Sequence, residues 1–290
     1  MITAELQFHR PGSVAEALEL LARHGDDAKI LGGGMSLVPT MTLGLARPEI
    51  VISLNHITEL RVIAEDAAAG TLRIGGTARH NDVIASPLVA RHAPLLADAA
   101  RHIGDMQVRN RGTIGGSVAH ADPAADYLPA LVALDASVVV RSTRGERVIP
   151  AAEFFIDVMA TALAPDELIA EIRVPSQGTA RGAYRRLTRV EGSFAIVNAA
   201  ALVRPAGSGA SVVAIGGVAG APVAVDASTA VSAGLTGSAL AAFEDAVRAA
   251  CPEPFEDLNG DAVYRREMAV IHARRALLAA AGRAAAGVTV

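Results

Sequence analysis

Two short glycine clusters constrain this chain more than any other feature: Gly32-Gly33-Gly34-Met35-Ser36 and Thr113-Ile114-Gly115-Gly116-Ser117. Adjacent glycines let the backbone adopt positive φ, approach a ligand closely and turn successive amides toward one anion. A neighbouring Ser or Thr hydroxyl adds a donor. Each cluster reads either as a tight turn or as half of a cradle for the two phosphates of a dinucleotide. Neither matches the six-residue dinucleotide fingerprint of doubly wound sheets or the lysine-bearing phosphate loop, so ordinary versions of those sites are excluded.

The rest of the chain reads as a framework around these clusters. Ser13 and Glu16 form a capping-box pattern before the apolar face Val14, Ala17, Leu18 and Leu21, with Gly25 as a stop. Residues 28–31 form a strand leading into the first cluster, and residues 49–54 a second one. Residues 72–75 are strand-like, Asn81-Asp82 is placed to cap a short helix, and Pro94 suits the first turn of a helix reaching Ile103. The run from Arg109 to Ser117 reads as a polar, glycine-rich loop. A helix through Leu128, Leu131 and Leu134 precedes a hairpin turning near Gly145, then a strand from Leu168 to Val174. Residues 175–179 have linker composition. Beyond them, strands at 183–188, 195–203 and 212–215 precede helices at 238–250 and 261–281, an α+β pattern.

Composition removes several functions. At 290 residues the chain exceeds one small core, and 51% hydrophobic against 19% charged residues argues for packed domains rather than disorder. A formal charge of −4, 3% aromatic residues and no Trp disfavour nucleic-acid binding. The one cysteine, Cys251, cannot hold an iron–sulfur cluster or a cysteine-rich zinc site. No apolar run reaches the ~20 residues of a membrane span, and the first six residues carry no signal-peptide pattern, so a cytoplasmic protein is expected. His120, Asp122 and Asp126 lack a persuasive ligand spacing, and no metal is expected here. No Gly-x-Ser-x-Gly elbow or other catalytic constellation stands out, so no catalytic residue is assigned. Arg265, Arg266, Arg274 and Arg275 recur at helical spacing, either as a solvated face or as a docking face.

The run Gly32-Gly33-Gly34-Met35-Ser36-Leu37-Val38-Pro39 with Leu45-Ala46-Arg47-Pro48 resembles the first FAD loop of the flavoprotein subunits of molybdenum hydroxylases. The run from Arg109 to Ser117, continued by His120-Ala121-Asp122-Pro123-Ala124-Ala125-Asp126, resembles their second loop. Further likenesses lie at Glu171-Ile172-Arg173-Val174-Pro175, Tyr184-Arg185-Arg186, Ile215-Gly216-Gly217-Val218, Tyr264-Arg265-Arg266 and Arg274-Arg275-Ala276-Leu277, so the resemblance spans the chain. The family includes the medium chain of carbon monoxide dehydrogenase-like enzymes and is related to the flavin domain of xanthine dehydrogenase.

The resemblance implies an α+β fold: a two-part FAD-binding domain of the vanillyl-alcohol-oxidase (PCMH) type, then a smaller α+β C-terminal domain. The expected boundaries are 1–56, 57–175 and 176–290. It implies FAD contacts at Gly32, Gly33, Gly34, Met35, Ser36 and Leu37, and at Thr113, Ile114, Gly115, Gly116 and Ser117. Asp126 is either a ribose acceptor or simply an acid at a helix start. Leu168 and Ile169, which alone read as core, would border the isoalloxazine, and Arg186 would lie near the flavin. Met35 stands where no histidyl–flavin bond can form, so FAD is expected to be non-covalent. The family often has Lys near Arg185 or Arg186 and an acid near Ser193, and this chain has neither. The implied function is electron transfer from the [2Fe–2S] clusters of a small subunit through FAD to an external acceptor. The molybdenum cofactor would sit on a large subunit, in a dimer of heterotrimers. A self-sufficient flavoprotein oxidase or reductase, and a non-catalytic nucleotide-binding assembly module, are the alternatives.

Overall fold

A computed structural model describes residues 5–282. The reading of residues 1–4 and that of the alanine-rich end from residue 283 lie outside the described residues. The strands, in chain order, are β1 (Gln7–His9), β2 (Ala28–Leu31), β3 (Ile50–Ser53), β4 (Ile63–Asp66), β5 (Thr71–Gly75), β6 (Ser137–Ser142) and β7 (Gly145–Pro150). They continue with β8 (Phe155–Asp157), β9 (Ala160–Thr161), β10 (Leu168–Pro175), β11 (Arg181–Leu187), β12 (Val197–Val203), β13 (Val212–Gly216) and β14 (Val223–Asp226).

Three main sheets follow one another along the chain. The first is parallel, in the order β1-β3-β2, and the helix Val14–His24 packs its buried Val14, Ala17, Leu18 and Leu21 into the same core. Ser13 caps that helix by accepting from the Glu16 amide at 3.2 Å. Glu16 returns its carboxylate to Gly12 rather than to Ser13, so the box is displaced by one residue. The second sheet is antiparallel, in the order β4-β5-β10-β6-β7, and its helices bury a large aliphatic core including Leu95, Leu96, Leu128 and Leu131. The third is the antiparallel meander β11-β12-β13-β14, covered by the helices Gly237–Ala250 and Ala262–Ala280.

Several local expectations change. Asn81 and Asp82 lie inside the helix His80–Ala85. The N-cap is Arg79, whose amide donates to the Asp82 carboxylate at 3.0 Å. The 109–117 run is not a loop: the helices Met106–Arg111 and Ile114–His120 leave only Gly112 and Thr113 between them. The Thr113 hydroxyl accepts from the Gly116 amide at 3.1 Å, and this cap holds a helical turn despite its glycines. The segment after β10 is anchored, because Gln177 accepts from the Leu95 amide and donates to Ala180. Arg265 is buried: it donates to Ile196 O at 2.5 Å and Gly217 O at 3.0 Å, pairs with Asp257 and stacks over Phe255. It therefore contributes no docking face. Arg266 is spent on the carbonyls of Cys251 and Pro252.

Candidate functional site

Both glycine clusters open into a single cleft of 660 Å³. The first lies between β2 and the helix Leu37–Thr42, and the second begins the helix Ile114–His120. They touch directly. A Cβ on Gly33 would lie 2.1 Å from Arg111 O, and one on Gly32 would lie 2.8 Å from Thr113 Oγ1. Gly115 is equally confined, its missing Cβ 2.5 Å from Gly76 O. Gly33 and Gly115 are therefore required first of all by backbone meeting backbone, and Gly32 by the Thr113 side chain.

The two clusters differ in what they offer a ligand. In the second, every first-turn amide is already used. Ile114 donates to Ala78 O, Gly115 to Gly76 O, Gly116 to the Thr113 hydroxyl and Ser117 to Thr113 O. In the first, none of the backbone N–H groups from Gly32 to Leu37 finds an acceptor among the described residues. Gly34, at φ 78°, turns the chain through the left-handed region that a side chain disfavours. A run of unpaired amides on a tight turn is an anion cradle. The lining residues include only one Lys or Arg, Lys29, so negative charge would be met by neutral donors.

Of the residues singled out from sequence, Gly32 to Leu37, Thr113, Gly115, Gly116, Ser117, Asp126, Leu168 and Ile169 line the cleft. Two do not. Ile114 is fully buried in the central core. Arg186 stands behind the wall, donating from Nη1 to Asp126 Oδ1 at 3.1 Å. Asp126 also accepts from the Tyr184 hydroxyl at 2.6 Å. Burial pushes its carboxyl above the usual carboxylate range, against the pull of Arg186 and Tyr184. It sits at the N-cap of the helix Tyr127–Ala133 without capping it, and instead ties that helix to β11.

The cleft also has walls that sequence reasoning missed. Gly76, Thr77 and His80 follow β5, Thr161, Leu163, Ala164, Pro165 and Glu167 lead into β10, and Gly192, Ser193 and Phe194 come from the turn between β11 and β12. Glu167 holds the second of these: it accepts from Arg147 at 2.8 and 2.7 Å and from the Ala164 amide at 2.8 Å. The Arg147 hydrogen bonds keep the Glu167 carboxyl below its ordinary range. Among the described residues no group of three His, Cys, Asp or Glu side chains could hold a metal ion.

Residues 4–177 match the FAD binding domain in molybdopterin dehydrogenase, and residues 182–280 match the CO dehydrogenase flavoprotein C-terminal domain. The chain belongs to the FAD-binding medium-subunit family of molybdenum hydroxylases. It is 42% identical over 290 residues to the carbon monoxide dehydrogenase medium chain of Hydrogenophaga pseudoflava, covering 98% of this chain and 100% of that one. It is 34% identical to the nicotine 6-hydroxylase medium subunit of Paenarthrobacter nicotinovorans, covering 96% and 98% of the two chains. A solved structure of carbon monoxide dehydrogenase from Hydrogenophaga pseudoflava, lacking the Mo-pyranopterin moiety, superposes with a TM-score of 0.90 over 98% of this chain. Membership gives the fold its name: a two-part FAD-binding domain followed by an α+β flavoprotein C-terminal domain. The cleft fits the cofactor, since FAD brings a diphosphate and unpaired amides of the kind found from Gly32 to Leu37 are donors suited to an anion.

Proposed function

We propose that this chain holds FAD non-covalently and serves as the electron-transfer subunit of a molybdenum hydroxylase. Electrons would arrive from the [2Fe–2S] clusters of a small partner subunit and leave to an external acceptor, with the molybdenum cofactor on a large subunit. The observation that carries this reading is the run of unpaired amides from Gly32 to Leu37 facing a 660 Å³ cleft in a chain of this family. Bound FAD supplies the redox chemistry, and the protein supplies position, electrostatics and exclusion of water.

Each wall has a part in this. The Gly32–Leu37 amides hold the diphosphate, and Gly116 and the Ser117 hydroxyl face it from the second loop. Met35 offers no atom for covalent attachment. Leu168 and Ile169 form an apolar border for the isoalloxazine, with Arg147 and Glu167 fixing the segment beside them. The Tyr184–Asp126–Arg186 cluster braces the cleft from the C-terminal sheet, which assigns Arg186 a supporting place rather than flavin contact. The chain would work as three units, 1–56, 57–175 and 176–290. Each main sheet falls within one of them, and the cleft draws walls from all three.

A single cysteine and the absence of a metal-ligand cluster among the described residues support partners that carry the metal centres. A dimer of heterotrimers in the cytoplasm is the assembly we propose. Among the described residues no helix is long and apolar enough to cross a membrane. Purification from the native host, with iron, molybdenum and subunit analysis, tests this. The chain should travel with an iron–sulfur chain and a molybdenum chain. A lone chain that turns over an organic substrate by itself would instead establish a self-sufficient flavoprotein.

A further inference from the structure

His80 is the one imidazole in the cleft whose ring is buried and held from behind. It opens the helix His80–Ala85, and its backbone amide donates to Gly112 O at 3.0 Å. Arg79 bridges to Thr113 in the same place, so this helix start is stapled to the second glycine cluster. A Cβ on Gly112 would lie 2.5 Å from His80 Nε2. The ring edge carrying Nε2 therefore lies against the turn from which Gly112, Thr113 and Gly116 line the cleft.

The opposite nitrogen is committed. His80 Nδ1 lies 3.2 Å from the Tyr127 hydroxyl, with the two rings 5.4 Å apart. Tyr127 is fully buried, and burial raises its phenol far above the ordinary range, so it keeps its proton. A buried hydroxyl needs an acceptor, and among the described residues His80 Nδ1 is the hydrogen-bond partner that Tyr127 has. Tyr127 thus donates to Nδ1. Burial, and secondarily the charge of Arg109, lower the imidazolium pKa to about 4, so the ring is neutral at pH 7. With Nδ1 accepting, the ring proton is on Nε2. That atom has no partner within the described chain, yet it is not among the sealed, unpartnered polar atoms of the interior. It opens to the cleft, of which His80 is a lining residue.

We propose that His80 is a dinucleotide contact: its Nε2–H, fixed in that tautomer by Tyr127, donates to a phosphate or ribityl oxygen of FAD beside the Gly112–Thr113 turn. This rests on the reading of the cleft as an FAD site. It supplies the second loop with a donor that its own occupied amides cannot give, and it keeps the donor uncharged, as on the first loop.

Two measurements on the full-length chain test this. In the ¹⁵N spectrum of histidine-labelled apoprotein, assigned by comparison with His80→Gln, His80 should show a protonated Nε2 and an unprotonated Nδ1 at pH 7. A protonated Nδ1 would overturn the proposal. In FAD titrations followed by flavin fluorescence, His80→Phe should weaken binding about tenfold or more, the scale of one hydrogen bond to a charged group. His80→Gln, which can restore a neutral donor, should stay within about threefold of wild type. Tyr127→Phe, which frees Nδ1 to take the proton, should fall between them. Wild-type affinity in His80→Phe, or equal losses in His80→Phe and His80→Gln tracking a lowered Tm, would make His80 a core residue only. A wild-type chain that takes up no FAD would overturn the FAD reading itself, an outcome distinct from a variant-specific result.

Discussion

A methyl group added at Gly33 would sit 2.1 Å from Arg111 O and 2.5 Å from Gly112 Cα, so the two glycine clusters would have to part to admit it. Gly33→Ala is therefore expected to lower stability by about 1–3 kcal/mol, the usual cost of overpacking, and to lose FAD at the same time. Urea unfolding together with flavin content checks both halves. An alanine variant of normal stability and FAD content would contradict the close approach. A second residue-scale expectation concerns pH. Burial, aided by the charges of Arg275 and Arg185, holds the His272 pKa down to about 4 against an ordinary 6.5. The unfolded chain takes up this proton as pH falls through 6.5, while the folded chain resists until about 4. The stability His272 contributes is thus fully present above pH 6.5 and lost progressively toward pH 4, by roughly 3 kcal/mol in all. His272→Gln should flatten that part of the stability–pH curve, and an unchanged slope between pH 6.5 and 4 would refute it. Residue types alone picked out the two glycine clusters that line the cleft, because glycines beside hydroxyl residues have few uses. They could not reveal that Ile114 faces the core, nor that Asp126 is met by Tyr184 and Arg186 from β11, since both depend on contacts far apart in the chain.

At the scale of elements, period and punctuation were enough wherever the apolar pattern was unbroken. The strand β2, the β6–β7 hairpin, β10 and the helices Gly237–Ala250 and Ala262–Ala280 fall where alternation, glycine turns and helical spacing put them. Other short pieces escaped: β1, β4, β8, β9 and β14 span two to four residues each, too few for a period to register without a marker such as the glycine cluster that follows the equally short β2. The helix Ile114–His120 escaped for a different reason. Its two glycines argue against a helix, and the Thr113 cap together with the fit of Gly115 against Gly76 overrides them. This separates two adjacent positions. Gly115→Ala would press a methyl to 2.5 Å from a main-chain oxygen, whereas at Gly116 the nearest obstacle is the Thr113 hydroxyl at 2.8 Å, a side chain able to rotate. Gly115→Ala is expected to destabilise the fold by about 1–3 kcal/mol. Gly116→Ala should cost about 1 kcal/mol or less through its cap. Thermal unfolding of the pair decides, and equal losses would show that the two glycines serve one purpose.

For the molecule as a whole, the cleft is a meeting place of sheets. The parallel sheet brings the unpaired amides of Gly32 to Leu37, the five-stranded sheet brings Leu168, Ile169 and His80, and the C-terminal meander brings Gly192, Ser193 and Phe194. That convergence was not legible in the sequence, where these segments lie up to 162 residues apart. The order of the motifs was, and so was the family. A site built this way is expected to hold its cofactor by many neutral donors and by shape rather than by a covalent bond or a cationic pocket. The most direct test is acid or heat denaturation of the freshly purified protein, with its partner subunits where they travel together, and identification of whatever enters the supernatant. FAD released in proportion to the chain is the expected result. Absence of flavin, release of FMN alone, or a flavin that stays with the denatured polypeptide would contradict it.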